Sequence, residues 1–338
     1  MPLNAPEWIS PRLAKDAREL MRMFRRVHLK AAFFLLLVGA ALLPISCRSA
    51  SRGGYTITLV TKALDSEFWA QVKRGAEEAA RQHPDIQLSV LAPAREIYVD
   101  QQVNILEDQI LKRVSALAVV PGGAQEIVPI LDKAHAASIP VVVVDTDVAW
   151  PPKVSYVGTD NRYGGKLAGE FIVKALRGKG KVALVTGIPG VRSIEDRQEG
   201  CLEVLKATPG IEIAAQQPAN SERSLALTVM ENILTSQPEI GAVFASSDQM
   251  ALGAIEAIDA RGKTGKIIVV GFDAGEEALQ AIRQGRIQAA VAQRPFLMGK
   301  LGIEAAYRAA KREPVEKRID TGTELITPEN LEKHLSNK

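Results

Sequence analysis

From residue 55 onward, short runs of β-branched and apolar residues alternate with segments rich in Ala, Glu, Lys, Arg and Leu. The apolar runs predict ten strands, at 55–61, 86–91, 116–120, 140–145, 154–157, 181–186, 211–215, 242–245, 267–271 and 287–292. The segments between most of them predict nine helices, at 67–82, 100–112, 125–137, 164–176, 194–207, 225–235, 249–260, 276–284 and 297–311. The strands lack an inside/outside alternation, as expected where helices cover both faces of a sheet. Strand–helix alternation implies parallel βαβ units with right-handed crossovers. Ten strands exceed the usual six-stranded open sheet, which favours an α/β protein of two Rossmann-like lobes over a single sheet. A closed eight-fold barrel is also possible by count. No internal repeat or long linker interrupts the pattern.

Upstream, MFRRVHLKAAFFLLLVGAALLPISC (23–47) places Arg25, Arg26 and Lys30 before an uncharged apolar run at 31–43. That layout predicts a secretory leader over 1–46, with Met23 as its natural start, because the run is too short for a spanning helix. Ser46 directly before Cys47 resembles the lipobox of bacterial lipoproteins, although Pro44 stands where leucine is usual. Cys47 is therefore expected to be acylated, the alternative being an ordinary leader with a nearby cysteine. Residues 47–54 read as a short polar tether.

The leader changes the charge picture. Of 42 Lys+Arg and 39 Asp+Glu, residues 1–46 hold seven bases and three acids, leaving 35 against 36, a net of −1. The full chain's net of +3 thus gives no case for nucleic-acid binding. Only Cys47 and Cys201 exist, so an acylated Cys47 leaves no intramolecular disulfide. There is no GxSxG, HExxH, P-loop or GxGxxG, and His83, His135 and His334 have no ligand spacing. No catalytic group, metal or cofactor is expected.

In open α/β folds ligands bind at the carboxyl ends of strands. The loops there contain KALDSEFW (62–69), DTD (145–147), TGIPGVRSIEDRQEG (186–200), ASSDQMALGA (245–254), GFDAGEE (271–277) and AQRP (292–295). Adjacent Phe68 and Trp69, with Asp, Arg and Gln, are the ingredients of a polyol site. Rings stack on C–H faces while carboxylates and guanidinium groups bond to hydroxyls.

Several motifs in order carry a resemblance over 55–331: FWAQVKRGAEEAA (68–80), IPVVVVDTD (139–147), YVGTDN (156–161), Arg197 with Gly200, SSDQMALGA (246–254), VVGFDAG (269–275) and AQRPFLMG (292–299). The chain resembles the type I periplasmic binding proteins of the ribose/galactose sugar-binding family, the solute receptors of ABC importers. The closing RIDTGTELITPENL (318–331) is similar to a different branch of sugar-type receptors from those for ribose. The resemblance implies a three-crossing hinge, near 157–160, 293–294 and 319–321. The first lobe would then be 55–157 plus 294–319, and the second 158–293 plus 320–338.

The resemblance also implies a ligand set. Phe68 and Trp69 match the aromatics that clamp the sugar; Asp145, Arg197, Asp273 and Gln293 match polar contacts. Thr146 stands in place of an arginine, Ser221 of a third aromatic, Ser247 of an asparagine, and Lys62 and Ser66 of a serine and an asparagine. Losing a ring and an arginine while gaining a lysine argues for a ligand other than simple ribose. Each position has a plainer reading. Trp69 is also a candidate core residue, Asp145 and Asp273 candidate helix caps, and Arg197 and Lys62 candidate solvated side chains.

The implied protein is a monomer, lipid-anchored in the periplasm or at the cell surface, that binds a sugar-like small molecule and hands it to ABC permease subunits. A receptor for chemotaxis or a two-component system using the same fold is the alternative. A lactose-repressor-type regulator would need a helix-turn-helix where residues 31–43 are apolar.

Overall fold

The structure is a computed structural model, and it describes residues 54–336; the leader and Cys47 lie outside the described residues. The chain first runs β1 (Tyr55–Val60), α1 (Glu67–Gln82), β2 (Ile86–Leu91), α2 (Val99–Leu111), β3 (Ala116–Val119), α3 (Ala124–Ala136), β4 (Val141–Val144) and β5 (Ser155–Gly158). It continues α4 (Asn161–Ala175), β6 (Lys179–Thr186), α5 (Arg192–Lys206), β7 (Gly210–Pro218), α6 (Arg223–Ser236), β8 (Ile240–Ala245), α7 (Asp248–Ala260), β9 (Ile268–Asp273), α8 (Glu276–Arg283) and β10 (Ala289–Ala292). Then come α9 (Pro295–Ala310), β11 (Arg318–Asp320), β12 (Glu324–Ile326) and the short α10 (Leu331–Ser336).

Two six-stranded sheets result, ordered β11-β5-β4-β3-β1-β2 and β12-β10-β9-β8-β6-β7. The chain passes between them after β5, after β10 and after β11. All pairings are parallel except β10 with β12, which is antiparallel. The two-sheet arrangement excludes the barrel that strand count alone allowed.

Burial on both faces explains the unbroken apolar strands. In the first sheet Ile57, Leu59, Ala118, Val142 and Val144 face α1 and α9, while Val60, Leu117, Val119, Val141 and Val143 pack with residues of α2 and α3. In the second, Val182, Leu184, Phe244 and Phe272 pack with α4 and α5. Successive side chains of one strand thus enter different cores, so every position must be apolar.

Glycines let the helices beside the cleft approach closely. A Cβ on Gly75 would lie 1.8 Å from the Phe296 carbonyl oxygen, and one on Gly299 would lie 1.9 Å from that of Val72. Only glycine permits this close contact between α1 and α9.

Candidate functional site

The cavity lies between the carboxyl ends of the two sheets and measures about 1430 Å³. The first lobe contributes Lys62, from the loop after β1. Its Nζ donates to Thr146 Oγ1 at 2.6 Å and to Asp145 Oδ2 at 3.4 Å. Thr146 Oγ1 in turn bonds to Asp145 Oδ2 at 2.8 Å. The Lys62 ammonium also sits 5.7 Å from the Trp69 ring centre. A buried lysine is tolerable here because its charge is paired and two of its three donors are used.

Asp145 directly follows β4 with a left-handed φ of 61°. Such a backbone costs roughly 1–3 kcal/mol and survives only where neighbours impose it. Tyr156 does so by donating its hydroxyl to the Asp145 carbonyl oxygen at 2.8 Å. Burial pushes the Tyr156 phenol well above its ordinary pKa, which keeps it a donor.

The second lobe contributes a network around Arg197 on α5. Nε donates to Asn161 Oδ1 at 2.8 Å, and Nη1 to the Ser246 carbonyl at 2.8 Å and to Asp273 Oδ1 at 3.4 Å. The guanidinium lies 4.0 Å from the Phe272 ring centre. Asp273, at φ 96°, also accepts from Gln293 Nε2 at 2.7 Å. Its pKa is raised by burial, with Arg197 opposing. The pKa of Asp248 is raised as well, by burial and by Asp273 beside it.

The two lobes meet across the cleft. Thr146 Oγ1 lies 2.9 Å from Ser193 Oγ, the Glu276 backbone N–H donates to Glu67 Oε2 at 2.8 Å, and Arg95 pairs with Glu222.

Most of the sequence-predicted residues line this cavity: Lys62, Ser66, Phe68, Trp69, Asp145, Arg197, Ser221, Ser247, Asp273 and Gln293. Thr146 does not. It lies behind Asp145, where a short hydroxyl bridges Lys62, Asp145 and Ser193. The two rings do not face each other across a ligand. They meet edge to face at 4.8 Å and 89°, so nothing fits between them and they form one wall. Trp69 is also 4% exposed and packs in the first-lobe core while lining the cavity. Arg197 and Lys62, each 4% exposed, are not solvated side chains. Neither Asp145 nor Asp273 is the N-cap of the helix that follows it; Gly123, Asp160 and Gly275 cap α3, α4 and α8.

Sequence reasoning missed Glu96, whose Oε1 accepts from Trp69 Nε1 at 2.7 Å and whose pKa burial raises. It sits in the loop after β2, so inspecting that strand end would have found it. Asp248, Asn161 and Ser193 were also missed, because what matters for them is contact with distant residues. Among the described residues, no group of three or more His, Cys, Asp or Glu is placed to hold a metal ion.

Several buried polar atoms in the cavity wall have no partner among the described residues: Asp145 Oδ1, Ser247 Oγ, Asp248 Oδ1 and Gln293 Oε1. Three of the four are pure acceptors, suited to a molecule rich in donors.

The periplasmic binding protein domain family matches residues 57–314. The ribose import binding protein of Bacillus subtilis is 34% identical over 279 residues, covering 82% of this chain and 89% of the relative. That of Haemophilus influenzae is 34% identical over 295 residues, covering 86% and 98%. Among solved structures, an ABC transporter solute-binding protein of Actinobacillus succinogenes with bound D-allose superposes with a TM-score of 0.77. It is 33% identical, over 82% of this chain and 99% of that one. One from Bacillus halodurans with bound myo-inositol gives 0.81 at 30% identity, over 86% and 100%.

Proposed function

The chain belongs to the periplasmic binding protein family, and on that premise we propose that it is the receptor of an ABC importer for a sugar or sugar-like polyol. It is a solute-binding transport protein and not an enzyme. The observation that carries the polyol reading is the set of buried acceptors without partners at Asp145, Ser247, Asp248 and Gln293. Sugar hydroxyls supply the donors these atoms need, and the Phe68 and Trp69 wall suits the C–H face of a ring. The ribose-import relatives and the D-allose and myo-inositol complexes support a small polyol.

Both lobes line the cavity, so the ligand binds the closed form better and shifts the population towards it by hinge motion. The permease subunits then read the closed surface. The receptor works as a monomer, anchored through acyl chains on Cys47 in the periplasm or at the cell surface.

A thermal-shift screen over pentoses, hexoses, polyols, sugar acids and nucleosides tests the reading. A saturable rise in melting temperature with at least one polyol is expected; no response from any of them would overturn it.

A further inference from the structure

The inner cleft is unbalanced in charge. Ten carboxylates line the cavity against six Lys and Arg side chains; among them Glu96, Asp145, Asp248 and Asp273 stand with the cations Lys62 and Arg197. Both cations are already committed, Lys62 to Asp145 at 3.4 Å and Arg197 to Asp273 at 3.4 Å. Glu96 and Asp248 are held by neutral donors instead. The Trp69 indole donates to one, and the Gly275 backbone N–H to the other. Neither carboxylate forms an ion pair with a described residue, whereas some charges nearby do pair: Arg95 with Glu222, and Arg223 with Glu256 and Glu277.

Two half-buried carboxylates without an ion-pair partner are costly unless something neutralises them. Burial raises the pKa of both; for Glu96 the nearby Lys62 charge opposes that rise without forming an ion pair with it. Glu96 is the better placed to meet a ligand. Trp69 occupies its Oε1 and orients the group, leaving Oε2 to accept.

We infer that the ligand is a polyol bearing a protonated amine, an amino sugar or aminocyclitol, with Glu96 as the acceptor of its ammonium group. The inference rests on reading the cleft as a polyol site. The ammonium supplies both the missing charge and up to three donors. A sugar acid would add a further negative charge and is rejected.

Titration calorimetry with matched sets tests this: D-glucose, D-glucosamine, N-acetyl-D-glucosamine and D-glucuronate, the same four forms of galactose, and myo-inositol with an inosamine. In the set that binds, the amine is expected to exceed its hydroxyl and N-acetyl counterparts at least ten-fold, with no binding of the acid. Glu96→Gln, which still accepts the Trp69 hydrogen bond, should bring amine and hydroxyl forms within about two-fold. A hydroxyl or acid form binding as tightly as the amine would overturn the inference, as would an unchanged ratio in Glu96→Gln. Either result leaves the polyol reading standing. If no member of any set binds, this inference fails, while the polyol reading is decided by the thermal-shift screen.

Discussion

The Thr146 hydroxyl of the first lobe lies 2.9 Å from the Ser193 hydroxyl of the second, with both side chains buried. Thr146 is itself bonded to Lys62 and Asp145, so the interlobe contact is continuous with the cavity wall. A contact of this kind exists only while the lobes are together. Ser193→Ala removes one buried hydrogen bond, worth about 1 kcal/mol. It should weaken ligand binding by roughly five-fold and shift small-angle scattering of the ligand-free protein towards an open form. Unaltered scattering and affinity would mean the pair does not bias closure.

Trp69 should matter twice. Trp69→Ala removes a ring that is 4% exposed, so a stability loss of roughly 3–5 kcal/mol is expected in chemical denaturation. Trp69→Phe keeps most of the packing but deprives Glu96 of its donor, at about 1–3 kcal/mol. The phenylalanine variant should therefore separate the two roles, losing more in affinity than in melting temperature.

Arg197 makes its hydrogen bonds to Asn161, Ser246 and Asp273, all within the second lobe. Arg197→Ala leaves the Asp273 carboxylate underpaired, which for a buried pair costs roughly 3–5 kcal/mol. The loss should appear in urea unfolding without ligand, before any effect on closure. Asp273→Asn keeps an acceptor for Arg197 and tolerates the left-handed backbone. It should fold and yet lose most ligand binding, measured by calorimetry.

Asp248 sets a pH dependence. Its folded pKa is raised by burial and by Asp273, whereas the unfolded value is about 3.9. The folded state therefore holds the proton more tightly. Stability from this group is fully present below about pH 4 and declines as pH rises through the folded pKa. Melting temperatures of the ligand-free protein should show this decline, and Asp248→Asn should flatten it. A variant with the same slope as wild type would assign the titration elsewhere.

Cys47→Ala should release the protein from membranes to the soluble extracytoplasmic fraction, because a lipoprotein is held by its acyl chains. Retention at high salt after fractionation would exclude acylation at Cys47.

Much of the architecture is written locally in the chain. Each face of a doubly covered sheet needs apolar residues, so β3, β4 and β8 appear in the sequence as unbroken runs, and the helices between them follow. The strands β11 and β12 left no such trace. Each has three residues and sits at a sheet edge, where one neighbour suffices and little apolar surface is buried. Their existence depends on pairing with β5 and β10, far away in sequence for β11 and antiparallel for β12.

The same division runs through the site. Strand-end position marks the loops that hold Lys62, Asp145 and Asp273, because an α/β fold brings those ends together, and the family resemblance picks out these residues and Arg197 within them. What each side chain touches was decided only by tertiary structure. Thr146 turned from the cavity to bridge Lys62 and Ser193, and Trp69 met Phe68 edge-on while its indole bonded Glu96. Such contacts join residues many positions apart and depend on side-chain direction. Spacing along the chain fixes which loop a residue occupies, whereas packing between loops determines its partner.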